Sequence, residues 1–311
     1  TLTYAQTSGD PFKTWKYCEE NFSKGVNIRP QFAGRPTGLL FSLESSIHPF
    51  VAHPSFREIA DLPLEEKVER MKDPEFKKQI LGEDYSFGEG RNLELAKRLI
   101  SSFETQFPMD EIPNYEPKIE DSIAGIAKST GKSELEVAYE EMLKNDGKTF
   151  IYACFAPYPN HTLDFYKTII EFNSSVAGLS DGGAHCGLIC DASMPTWNVT
   201  HWTRDRDRGE KIPIEYIVNK QTRETARTFG LFDRGELKEG YLADINIINY
   251  DDLKVYKPEM VHDLPTGGRR IIQKCSGYAA TIKSGVITYK NDKATGLLPG
   301  SLIRGEQSTA A

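Results

Sequence analysis

The sequence predicts an α/β fold built on parallel strands, followed by a smaller β-rich module. Three observations point there. Strand-like and helix-like segments alternate with short connections at two places along the 311 residues, the pattern of parallel α/β architecture. An apolar run, Ser175 to Leu179, ends in Ser180-Asp181-Gly-Gly. An acid at the C-terminal end of a buried strand, followed by glycines that let a ligand approach the backbone, is where a (β/α) barrel places its chemistry. After Gly235, helical spacing gives way to short β-rich runs cut by Gly, Pro and Asp.

Taken in order, residues 1–6 are strand-like, and residues 10–24 carry Phe12, Trp15, Cys18 and Phe22 at helical spacing before a stop at Gly25. Val26 to Ala33 is the next strand. A second unit repeats the alternation: strand from Lys148 to Ala156, helix from Thr162 to Phe172, strand from Ser175 to Leu179. Between the units lies an insertion, about residues 34–146, too long for an ordinary strand-to-helix connection. It is charged and helical over 64–71, 74–81, 93–107 and 133–144, the last opened by a Ser133-x-x-Glu136 capping box. Placed after a barrel strand, it covers the active face as a lid, or it is a stabilising helical excursion without ligand contact. His48 and His53 near its start either face the site or are polar surface. A closing helix, Ile212 to Phe229, shows an apolar stripe of Ile214, Ile217, Val218, Thr225 and Phe229. The β-rich runs are 243–250, 269–274 and 278–289. The chain divides into a region 1–235 and a region 236–311, and no site residue is placed in the second.

Composition narrows the class. With 39% hydrophobic residues the chain can bury a sizeable core. A net charge of −7 argues against a nucleic-acid surface, and no run of 18 apolar residues suggests a membrane span. Five scattered cysteines favour reduced thiols and a cytoplasmic location, and the three Asn-x-Ser/Thr sequons at Asn160, Asn173 and Asn198 do not shift that view.

Read onward, the segments Gly178-Leu-Ser-Asp-Gly-Gly-Ala-His185, Cys190-Asp-Ala-Ser-Met-Pro-Thr196, His201-Trp-Thr-Arg-Asp-Arg206, Gly230-Leu-Phe-Asp-Arg-Gly235 and Gly240-Tyr-Leu-Ala-Asp-Ile-Asn246 resemble the N-acyl-D-amino-acid deacylase branch of the amidohydrolase superfamily (amidohydrolase family 3). Gln31-Phe-Ala-Gly-Arg-Pro-Thr-Gly-Leu-Leu40 and Asp263-Leu-Pro-Thr-Gly-Gly268 also fit. The resemblance covers nearly the whole chain but only the C-terminal part of such an enzyme. It implies the C-terminal half of a (β/α)8 TIM-type barrel carrying the long insertion, plus part of a small β-sandwich. No His-x-His metal motif occurs among the six histidines. The missing N-terminal half is therefore an expected partner, and the 311 residues alone, with unpaired strand edges, are expected to aggregate.

The resemblance implies hydrolysis of an amide bond by metal-activated water, most simply deacylation of an N-acyl-D-amino acid. A cyclic-amide hydrolase of the dihydroorotase or hydantoinase kind and a non-catalytic binding unit are the alternatives. Asp181 matches the acid that contacts metal-bound water, takes its proton and passes it to the leaving nitrogen; from local pattern alone it is equally an N-cap or turn residue. Zinc is the implied metal, with Asp181 as one ligand and the others in the missing half, because Gln6 and Gln31 stand where relatives carry histidine and an amide is a poor zinc ligand. His185 orients substrate or simply bonds to backbone. Arg204 and Arg35 are candidates to bind a substrate carboxylate; Arg206 and Arg208 fit a structural ion-pair cluster better. Oligomerisation is left open.

Overall fold

The computed structural model describes residues 12–86, 91–154, 158–178, 183 and 185–304, without the side chains of 91–95. The first predicted strand, residues 1–6, and with it Gln6, lies outside the described residues, as do Asp181 and its neighbours 179, 180, 182 and 184.

Among the described residues four small sheets carry eleven strands. β1 (Gln31–Phe32) pairs in parallel with β5 (Val176–Ala177), Gln31 opposite Val176. Main-chain bonds from Val176 to Pro30 and from Gly178 to Phe32, each 3.0 Å, extend the ladder. This is the one parallel pair among the described residues. β4 (Ile151–Cys154), expected as a third parallel strand, instead lies antiparallel between β2 (Gly38–Phe41) and β3 (Gln106–Pro108). The composition of a buried apolar run identifies a strand but says nothing of its partner or direction. Here the insertion itself supplies both neighbours.

That antiparallel sheet is a wall between two cores. Strand alternation sends successive side chains to opposite faces. Leu39, Phe41, Ile151 and Ala153 join a cluster with Phe50, Met71, Ile80 and Met142, formed by the helical insertion. Leu40, Tyr152 and Cys154, with Phe107, join the other, built from Trp15, Tyr166, Ile169, Trp197 and Trp202. Both faces of β2 and β4 are therefore buried along their whole length.

The helices follow local signals. In the insertion they span Pro54–Ile59, Leu64–Lys72, Pro74–Gly82, Arg91–Ser101, Ile123–Thr130 and Glu134–Gly147. Asp73 accepts the Glu75 amide with Pro74 at the first helical position, a preorganised start. Ser133 Oγ accepts the Glu136 amide at 3.2 Å, the serine half of the expected capping box. Lys13–Ser23 and Asp164–Glu171 fall where apolar spacing predicts them. The expected closing helix is two helices, Ile214–Gln221 and Arg223–Thr228, because Thr222 adopts φ −113°, ψ −84° between them. His48 and His53 are corrected from surface to interior: they are 1% and 0% exposed within the insertion core. His48 stands edge-on to Phe56 at 4.5 Å, and burial pushes its imidazole down to about 3.

Beyond residue 240, β6 (Ile245–Ile248), β9 (Tyr278–Lys283), β10 (Val286–Lys290) and β11 (Lys293–Ala294) form one antiparallel sheet in the order β11-β10-β9-β6. β7 (Lys254–Leu264) and β8 (Gly268–Ser276) form a separate hairpin. The expected single run 278–289 is a hairpin turned at Ser284 and Gly285, both at positive φ. β7 has no counterpart in the sequence reading.

Candidate functional site

The parallel pair fixes the chain as far as Gly178. It brings Gln31 against Gly178, where an added Cβ would meet the Gln31 Cβ at 2.8 Å, so only glycine fits. Asp181, three residues on, lies outside the described residues. His185 holds φ +49° and is exposed. Its carbonyl accepts the amides of Leu188 and Ile189 at 2.8 and 2.9 Å. From there the loop is stitched to two strands: Leu40 donates to the Leu188 carbonyl at 2.8 Å and Ile271 to the Cys186 carbonyl at 2.7 Å.

Arg35 anchors the far end of this loop. Its guanidinium is fully buried, lies 3.6 Å over the Tyr115 ring, and donates to Asp191 at 3.1 Å and Ser193 at 3.5 Å. Its Nε and Nη1 have no hydrogen-bond partner. Tyr115 and Ser193 both bond Gln273 of β8. Arg35 thus sits in an aromatic and polar cage rather than at an open face.

Arg204 is committed within the molecule. It pairs with Asp205 through Nε and Nη2 at 2.6 and 3.0 Å, and donates to the carbonyls of Tyr250, Asp251 and Leu253. All five donors of a guanidinium are used.

The structure adds a junction that the sequence did not reveal. Glu116, 2% exposed, accepts from Arg206 twice (3.1 and 3.0 Å), from the Leu163 amide at the start of the 164–171 helix (2.8 Å), and lies 3.0 Å from His201 Nε2. Burial alone would raise its carboxyl, but these donors outweigh it and hold the group down to about 2. Arg206, fully buried, also reaches Asp164 at 2.7 Å. His201 stacks on Trp197 at 4.2 Å and 13°, and burial lowers its imidazole against the opposing pull of Glu116. The helix Met194–Thr200 runs on into a π-turn, His201–Asp205, which turns these side chains inward. The His-Trp-Thr-Arg-Asp-Arg string was the available signal, but only its arginines stood out. Arg206 confirms the ion-pair expectation with remote partners rather than the adjacent aspartates.

Among the described residues no group of three or more His, Cys, Asp or Glu side chains is placed to hold a metal ion. His53 contacts the Ile80 carbonyl and Glu83, His201 faces Glu116 and His262 faces Glu44. The described donor set does not fit a zinc centre. No disulfide joins the cysteines among the described residues. No helix among the described residues is long and apolar enough to cross a membrane.

Residues 153–289 match the family model described as the amidohydrolase family. The chain resembles part of an amidohydrolase. The matched stretch runs from β4 to β10 and contains the Gly178–His185 segment and the Glu116-binding residues His201 and Arg206. Three solved structures match as well: a D-aminoacylase mutant in complex with copper chloride at 20% identity, a D-aminoacylase studied for its binuclear metal center at 21%, and a D-aminoacylase described as defining a novel subset of amidohydrolases at 21%. Each comparison covers 62% of this chain and 36% of the other, with a TM-score of 0.33, a level at which superposition establishes no correspondence. The chain thus spans about a third of the length of these relatives. No curated protein matches it.

Proposed function

We propose that this chain is the C-terminal part of an amidohydrolase whose full-length form hydrolyses a carbon–nitrogen amide bond, with N-acyl-D-amino acids as the substrate class. The amidohydrolase match over residues 153–289 carries this reading, because it encloses the acid-and-glycine segment at the end of a parallel strand. In the proposal the β1–β5 pair belongs to a barrel completed by an N-terminal portion, with residues 1–235 on the barrel side and 236–311 as the accessory β module.

Asp181 takes the proton of the attacking water and returns it to the departing nitrogen, two transfers that one carboxylate performs in sequence. A metal, zinc by preference, would take its ligands from Asp181 and from the N-terminal portion. Of the two arginines proposed for the substrate carboxylate, Arg204 has spent its N–H donors, whereas Arg35 keeps Nε and Nη1 without partners but is buried in its cage, so an anchoring role for Arg35 requires that cage to open in the full-length form. For His185, exposed on the loop, the proposed role is to orient the substrate.

The test is steady-state hydrolysis of a panel of N-acyl-D-amino acids, their L-isomers and a hydantoin by the full-length protein and its Asp181→Asn variant. The variant should fold and bind normally while kcat falls about a hundredfold or more. Equal kcat values would remove Asp181 from the mechanism. Absence of any hydrolysis by the wild type would favour the non-catalytic alternative.

A further inference from the structure

A cavity of about 490 Å³ opens beside the Glu116 junction, between residues 112–121, residues 197–208 and the start of β7. Its size is within the range of small-ligand sites. Three features of its lining act together.

The first is an oriented imidazole. His201 is clamped between the Trp197 face and the Trp202 edge, and its Nε2 meets a carboxylate that is already held ionised by Arg206. A carboxylate accepts only, so the neutral ring carries its proton on Nε2 and leaves Nδ1 as an acceptor. The second is unspent positive charge. Glu116 is neutralised by Arg206 and Asp205 by Arg204, so Lys118, Arg208 and Lys254 face only Asp121 and Asp207 across the lining. Arg208 spends Nη1 on the carbonyls of Glu116 and Pro117 at 2.7 and 3.1 Å, which fixes the guanidinium in place. The third is an apolar strip of Ile112, Pro113 and Val255.

We propose that this cavity binds a small organic anion with a flat or apolar body: the negative charge pairs with Arg208 and Lys254, and a hydroxyl or amide N–H of the ligand donates to His201 Nδ1. Neither the arginine nor the histidine alone specifies such a ligand; the combination of acceptor, cations and apolar strip does. The inference stands apart from the hydrolytic reading, since it uses none of the residues assigned there.

Titration calorimetry of the full-length protein with 4-hydroxybenzoate as probe tests it, with benzoate (no donor) and 4-hydroxybenzamide (no charge) as controls. One saturable site is expected, each control should bind at least about tenfold weaker, and Lys254→Ala, an exposed residue, should weaken the probe several-fold without unfolding the protein. The His201 Nδ1 resonance should shift on saturation, and Asp181→Asn should leave binding unchanged. No saturable binding, equal affinity for benzoate, indifference to Lys254→Ala, or loss of binding in Asp181→Asn would each overturn the proposal, the last by assigning the probe to the reaction site.

Discussion

The β7–β8 hairpin and the β6-β9-β10-β11 sheet come from the same C-terminal stretch and share a β-rich composition, yet only the hairpin is built into the body. Val255 and Ile271 of the hairpin are 6% and 5% exposed within the larger core, and Gln273 joins the cage around Arg35. In the sheet, Ala280 is the one buried residue, while Ile247, Ile287 and Tyr289 are 51%, 41% and 47% exposed. β propensity is equal in both; what differs is whether a second layer meets the apolar face. Strand identity therefore belongs to local sequence, and its energetic worth to the surface opposite.

The strongest challenge to this contrast is removal of a charge that only the body holds. Glu116→Ala leaves the buried Arg206 with the exposed Asp164 as its one remaining carboxylate partner among the described residues, and should cost about 3–5 kcal/mol in urea denaturation of the full-length protein. A loss under about 1 kcal/mol would show the junction to be solvent-relaxed. Ile271→Ala should cost about 2–5 kcal/mol if the hairpin is core, as Phe41→Ala should in the wall. A hairpin variant as mild as a surface change would place both C-terminal pieces in one class.

Acid sharpens the same contrast. The imidazoles of His48, His53, His161 and His201 are all held below their ordinary value, chiefly by burial, and all lie in the body. A group with a depressed folded pKa stabilises above its unfolded pKa and loses that contribution as pH falls toward the folded one. For His48 the window runs from 6.5 down to about 3. Each such group removes up to roughly 1.4 kcal/mol per pH unit within its window. Stability measured between pH 7 and 5 should fall in the wild type, and His48→Phe should flatten the slope. An unchanged slope would refute the assignment to His48.

The smallest effect belongs to the sheet. Ile287→Ser should change stability by no more than about 0.5 kcal/mol. If it costs as much as Ile271→Ala, the sheet face is covered in the protein in solution, and the contrast with the hairpin fails.

Most helices were legible in the sequence because their signals are local: a cap at Ser133, and spacing at Trp15 and Cys18, which are both buried. Strand pairing was not. Ile151 to Cys154 announces a buried strand, but its neighbours at Gly38–Phe41 and Gln106–Pro108 lie distant in sequence and are too short to show a period. The same distance hid the junction, since nothing near Glu116 signals that Arg206, 90 residues on, will find it. The two loop histidines were misplaced because polarity predicts exposure, whereas His48 spends its Nδ1 on the Phe50 amide and its ring on Phe56. Asp181 stands on local pattern and resemblance alone.

The wall between the two cores has a consequence for the order of assembly. β2 meets β4 across more than a hundred residues of chain, and neither core is closed until both are in place. A growing polypeptide that has made the insertion helices must hold their apolar faces unsealed until β4 is synthesised, a non-local step that slows folding. The helical excursion cannot ripen first and wait. It completes itself only at the moment it gives the rest of the protein its back wall.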